Sequence, residues 1–200
     1  MRNLGKLIGL AALLAAGNAL GNGGGHGHGH GDDRPRPMEI SRVFARTEIA
    51  APSFTVLETC QGPDGPYQLI HVTGEGPITS DDPRLTGTFI VDALILDSTT
   101  TGIGVSTDRF KVIDPSTGRL KVKGKAWGTD LAGEPIKSMA IADLADGSRL
   151  ATNATVYLPQ PGTAQPLAIE YGGAGPGNLE DRAFVISGDC RRTLEKLGFE

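Results

Sequence analysis

From Met38 onward, short apolar runs are broken by Gly, Pro, Asp and Thr, and the apolar positions within them recur at every second residue. A period of two puts successive side chains on opposite faces of a strand. The clearest unit is 109–127. Phe110 and Val112 alternate with Lys111 and Ile113, and Leu120, Val122, Gly124 and Ala126 alternate with Lys121, Lys123, Lys125 and Trp127. Between them stands Asp114-Pro115-Ser116-Thr117-Gly118. Asp before Pro favours a type I turn, and Gly118 supplies the positive φ that closes a hairpin. One face of this hairpin is apolar and the other mostly basic, so one side is wet. The stretch 85–96 predicts a longer strand that is apolar on both faces: Phe89, Val91, Ala93 and Ile95 on one, Ile90, Leu94 and Leu96 on the other, interrupted by Asp92. Such a strand is expected to be covered on both sides.

Further strands are predicted at 54–58, 67–73, 149–158 and 183–187. The stretch 137–145 reads as a strand despite its Ala and Leu content, because Asp146-Gly147 makes a hairpin turn into Arg149. The short segments 38–45 and 191–197 read as helical turns. About eight strands joined by tight turns, with no long helical crossover, predict an all-β antiparallel meander. Closure, or near closure, into a β-barrel removes the exposed edges; a β-sandwich is the alternative. The run from Gly102 to Trp127 resembles the glycine-punctuated meanders of calycin-like and allene-oxide-cyclase-like barrels. The later Gly172-Gly173 and Val185-Ile186-Ser187-Gly188-Asp189-Cys190 resemble uncharacterised secreted bacterial β proteins. Both resemblances rest on Gly spacing, over about 54–190. They imply a barrel and carry over no catalytic residue.

The ends of the chain set the compartment. Arg2 and Lys6 precede an uncharged apolar run, 7–16, and Gly17 and Ala19 stand at the −3 and −1 positions of a cut after Ala19. This is the pattern of a secretory signal peptide, too short to span a bilayer as a helix. The expected division is a signal peptide over 1–19, a Gly/His-rich disordered leader over 20–37, a β-barrel domain over 38–190 and a C-terminal tail over 191–200. From Gly21 to Pro37 the leader has no large apolar side chain to offset the entropy of ordering its glycines. No Cys lies near the cut, so a bacterial lipid anchor is not expected. Cys60 and Cys190 are the two cysteines. An even number in an exported chain predicts a disulfide joining the first and last parts of the domain.

Without Arg2 and Lys6, 17 Lys and Arg stand against 23 Asp and Glu, a net charge near −6. No basic stripe of the kind that neutralises phosphates is visible in the sequence, so nucleic acid is not an expected partner. Lys121, Lys123 and Lys125 share one strand face, read as a solvated outer surface. Nor is there a second hydrophobic stretch long enough to span a membrane.

Candidate chemistry is sparse. His26, His28 and His30 alternate with Gly beside Asp32 and Asp33. Neutral imidazoles on flexible spacers can converge on Cu or Zn. The competing reading is a soluble spacer, since ordering it costs roughly 1–2 kcal/mol per residue. His71 is the only His in the folded region and the only catalytic suspect, with Glu58 and Glu75 as possible partners. No G-x-S-x-G, P-loop or H-E-x-x-H occurs. Gly172 to Gly177 reads as a loop, Asp81-Asp82 and Asp97 as turn caps in preference to calcium ligands, and Asn153-Ala-Thr155 as a glycosylation sequon lying in a strand. The functional expectation is an exported non-catalytic module that binds a small ligand or a surface component. The barrel mouth or an exposed face would carry it, and Trp127, Tyr157 and Tyr171 are the aromatics to follow. The alternatives are a small-barrel isomerase, cyclase or lyase, and weak Cu or Zn capture by the leader.

Overall fold

The computed structural model describes residues 38–40, 43–62, 64–131, 133–160, 162–172 and 190. Its strands are β1 (Met38–Ile40), β2 (Ala45–Ile49), β3 (Ser53–Gly62), β4 (Gly65–Ser80), β5 (Gly87–Ser98), β6 (Gly104–Ile113), β7 (Leu120–Asp130), β8 (Ile136–Leu144), β9 (Arg149–Tyr157) and β10 (Leu167–Tyr171). The leader with His26, His28 and His30, the signal-like segment, the expected strand at 183–187 and the expected turn at 191–197 lie outside the described residues.

Each hairpin forms where the turn chemistry allows it. In the β6–β7 turn, Asp114 Oδ1 accepts from the backbone N–H groups of Ser116 (2.8 Å) and Thr117 (3.1 Å), and Gly118 closes the turn at φ +70°. Asp146 caps the β8–β9 turn in the same way through Ser148 N–H (2.8 Å). In the β4–β5 connection, Asp82 accepts from the N–H and guanidinium of Arg84. These acids are turn caps, as their sequence context predicts.

The eight strands β2, β4, β5, β6, β7, β8, β9 and β10 pair antiparallel with their neighbours, and β10 pairs β2, so the sheet closes on itself. Following the register from Ser80 passes Ala45, Tyr171, Ala154, Ser138, Gly128, Ser106 and Ile95, and returns to β4 at Ile70. The trace comes back ten residues from its start, which for eight strands corresponds to a tilt of roughly 40° and an interior just wide enough for side chains.

Two strands stand outside the ring. β2 and β3 lie end to end along one edge of β4, β2 beside Ile78 to Ser80 and β3 beside Gly65 to Thr73. Where β2 closes the ring it crosses β4 at residues without side chains: a Cβ on Gly76 would meet Glu48 O at 2.2 Å. The chain then turns at residues 50–52, and β3 continues along β4 off the ring. β1 corrects the expectation of a helical turn over 38–45. β10 pairs only Ala154 to Tyr157 of β9, which leaves the same edge open at Arg149 to Ala151, and Met38–Ile40 fills it in parallel. Open backbone groups on a strand edge are a stronger local partner than a short turn can make for itself. β2 and β10 are strands that the sequence reading did not foresee.

The inward side chains form one core. Phe89, Phe110 and Tyr171 meet at its centre, with ring centroids 5.6 Å apart for the two Phe residues and 5.7 and 6.0 Å from each to Tyr171. Gly124 lies under Phe110, where a Cβ would come within 2.2 Å of the ring. A second, smaller cluster lies on the outer wall and joins Cys60, Tyr67, Leu69, Leu96, Val105 and Cys190. It explains why β5 is apolar on both faces: Leu96 points out of the barrel and is fully buried by this cluster. Cys60 and Cys190 are disulfide-bonded (S–S 2.05 Å, Cα–Cα 5.2 Å).

Candidate functional site

Two regions of the barrel hold chemistry, one on each side of the same strands. Across β5 to β9 the outer wall forms a groove of about 910 Å³. Its apolar surface comes from Ile90, Leu120, Trp127 and Ile141. Its charge comes from Arg109 and Lys111 on β6 and Lys123 and Lys125 on β7, all exposed. Register pairs Arg109 with Lys125 and Lys111 with Lys123. Like charges directly opposite each other on neighbouring strands are destabilising, and here two such pairs stand side by side. Two acids also line the groove, Asp92 opposite Arg109 and Asp143 opposite Lys123 by register; Asp143 ion-pairs with Arg149 at 3.2 Å, and Asp92 Oδ1 lies 3.0 Å from His71 Nε2. No described ion pair or hydrogen bond engages the side chains of the four cations. Lys121, on the same strand, donates to the carbonyls of Pro83 (2.8 Å) and Thr86 (2.6 Å) and is a structural tie.

The lumen is the reverse. Read from its first residue, β6 gives the depth order of its inward positions: Gly104, Ser106, Asp108, Phe110, Val112. At the Gly104 level, Asp97 of β5 and Asp130 of β7 flank the glycine by register. Burial raises both carboxyls, Asp130 to about 6, with Asp97 adding repulsion. Deeper, Asp108 is pushed up to about 7 by burial, partly offset by a hydrogen bond from the Ala126 backbone. The Tyr171 hydroxyl is raised well above its ordinary value by burial and by the charge of Asp108.

Among the described residues, four buried side-chain oxygens have no hydrogen-bond partner: Asp97 Oδ1, Asp108 Oδ1, Ser138 Oγ and Thr47 Oγ1. All four belong to inward positions of the ring. A buried polar atom left unpaired costs about 1–3 kcal/mol, and folded chains pair nearly all of them. Gly128 packs closely against two inward hydroxyls: a Cβ there would meet Ser138 Oγ at 2.5 Å and Ser106 Oγ at 2.7 Å.

His71 points outward from β4 with its side chain one-third exposed, and the carboxylate beside it is Asp92, in place of the expected Glu58 or Glu75. No described hydroxyl or thiol nucleophile bonds this pair, and the pair lies outside the lumen. Of the aromatics, Trp127 lines the groove, Tyr171 is core, and Tyr157 is an exposed residue that bonds Glu170 (3.2 Å). Sequence reasoning missed Asp97, Asp108 and Asp130 as lumen groups. The signal was present: Asp108 is in phase with Phe110 and Val112, and Asp130 with Val122 and Ala126, so acids occupy positions on a core face. Among the described residues, no three His, Cys, Asp or Glu side chains come together as a metal site, and no helix is long and apolar enough to cross a membrane.

No protein-family model, no curated protein and no solved structure matches the chain.

Proposed function

We propose that the chain is an exported, non-catalytic binding module that holds an acidic polysaccharide in the outer groove. The observation that carries this reading is the double like-charge pairing, Arg109 with Lys125 and Lys111 with Lys123, next to Trp127; the two acids of the groove, Asp92 opposite Arg109 and Asp143 opposite Lys123, leave its surface net positive. A folded chain keeps such a repulsive arrangement at a cost, and a polyanion removes that cost. The indole offers a flat apolar surface against which a sugar ring can lie. Export rests on the charged start and apolar run of the N-terminus together with the Cys60–Cys190 bond, which forms in oxidising compartments. The protein is accordingly secreted or periplasmic.

Trp127 is the only tryptophan, so its fluorescence reports on the groove alone. Titration with polygalacturonate or dextran sulfate should change its emission, and raising NaCl from 50 to 500 mM should abolish the change by screening. Unchanged emission with both polymers at low salt would refute the proposal.

A further inference from the structure

We propose that the barrel lumen is a second binding site, for a small organic cation bearing an ammonium group, with Asp108 as its counter-charge. The site is separate from the outer groove and does not depend on the reading given above. Three observations carry it.

The first is charge segregation. Among the described residues of the ring strands, every Asp, Glu, His, Lys or Arg at an inward position is an acid (Asp97, Asp108 and Asp130), while the basic side chains face outward. The second is the set of unpaired oxygens. Ser138 and Thr47 are each more than nine-tenths buried, and with Asp108 and Asp97 they carry oxygens at inward positions that no described residue engages. An ammonium group has donors only, and so complements a carboxylate and hydroxyl lone pairs together. The third is the aromatic floor. One inward position below Asp108 on β6 lies Phe110, grouped with Phe89 and Tyr171, and ring faces attract cations. Room exists along this path. Asp108, Ala93 and Ile70, although they face inward, stay only partly buried. Asp97 and Asp130 stand at the end of the lumen from which a cation would enter.

An empty lumen favours the protonated form of Asp108, and a bound ammonium group favours the carboxylate. The titratable groups sharing the lumen with it are Asp97 on β5, Asp130 on β7 and Tyr171 on β10, and none of them is a cation. Binding therefore expels a proton near neutral pH, and affinity falls roughly tenfold per pH unit as the pH drops below the Asp108 transition.

The test is calorimetry on the full chain with n-butylammonium and with n-butanol, its neutral counterpart. At pH 6.5 in two buffers of different ionisation enthalpy, the amine should bind with release of up to one proton, and butanol should bind at least tenfold more weakly. Asp108→Asn should lose amine binding while keeping a cooperative thermal transition. Gly128→Ala, whose Cβ would crowd the Ser106 and Ser138 hydroxyls, should weaken it with Asp108 intact. Equal binding of butanol and the amine, amine binding without proton release, or no amine binding at all would overturn the proposal. The proton release is read on the unaltered chain, so the result stands even if Asp108→Asn does not fold.

Discussion

β6 and β7 carry Ser106, Asp108, Gly128 and Asp130 on one side and Arg109, Lys111, Lys123 and Lys125 on the other. The inner side is narrow, acidic and short of hydrogen-bond partners, and the outer side is open, basic and repulsive. Period-two alternation makes this possible, because neighbours in sequence never share a face. A strand pair of about ten residues can thus serve two chemistries of opposite sign. The two faces should also differ in their share of stability: groups in the lumen are coupled to the fold, while groups in the groove are coupled mainly to a ligand.

The largest effect should come from the bond that buries part of the outer wall. Replacing Cys60 and Cys190 by Ser opens a covalent loop of 130 residues. On the chain-entropy model this removes about 5 kcal/mol, to be read as a lowered urea midpoint. The Trp127 response to polyanion should persist wherever the variant is still folded. Phe89→Ala, which empties part of the aromatic centre of the lumen, should cost about 3–5 kcal/mol. A loss below about 1 kcal/mol would mean that this layer is not close-packed.

The pH dependence of stability follows from the raised acids. Asp108 and Asp130 have an ordinary value of 3.8 and stand at about 7 and about 6 in the folded chain. Between pH 4 and 7 the folded state therefore holds more protons than the unfolded state, and stability declines as pH rises, then levels off above 7. Asp82 and Asp146, whose values are lowered by Arg84 and Ser148 respectively, act oppositely and lose their contribution only below about pH 4. The urea midpoint should be highest near pH 4 to 5, and Asp108→Asn should flatten the decline. A midpoint that rises from pH 4 to 7 would contradict the burial of these carboxyls. The smallest effect on stability belongs to the groove. Changing Arg109, Lys111, Lys123 and Lys125 together to Gln should shift stability by no more than about 0.5 kcal/mol, toward greater stability as the repulsion is relieved, and should abolish the polyanion response of Trp127.

What could be read from the sequence follows the same division. β4 to β9 are visible because large apolar residues alternate over many positions, and their turns carry Asp and Gly where the backbone demands them. β1 has three residues and is paired by an edge that exists only once the ring has closed, so no local pattern could reveal it. β2 contains one large apolar residue, Ile49, in Ala-Arg-Thr-Glu-Ile, and its alternation is carried by the small Ala45 and Thr47. β10 does alternate, through Leu167, Ile169 and Tyr171, but Pro161, Gly162 and Pro166 before it and Gly172 after it gave the region the look of a loop. The alternation of Lys121, Lys123 and Lys125 on one face of β7 is visible in the sequence, whereas their like-charged neighbours on β6 require the register. Asp97 reads as a turn residue in the sequence because it precedes Ser-Thr-Thr-Thr. In the fold β5 runs one residue beyond it, which places its carboxyl at the mouth of the lumen.

The Cys60–Cys190 bond also decides how the chain responds to a pull. Tension applied between the two ends runs from β1 through β2 and β3 to Cys60, crosses the sulfurs to Cys190, and leaves toward the C-terminus. Residues 61–189 lie in a covalent bypass and carry none of it. β4 to β10, with the Asp108 lumen and the basic groove, are thereby shielded, while β2 is the one ring strand in the loaded path. Stretching the protein while it is tethered at both ends would peel β2 from β10 and β4 and open the ring along that seam, with the walls of the groove still paired.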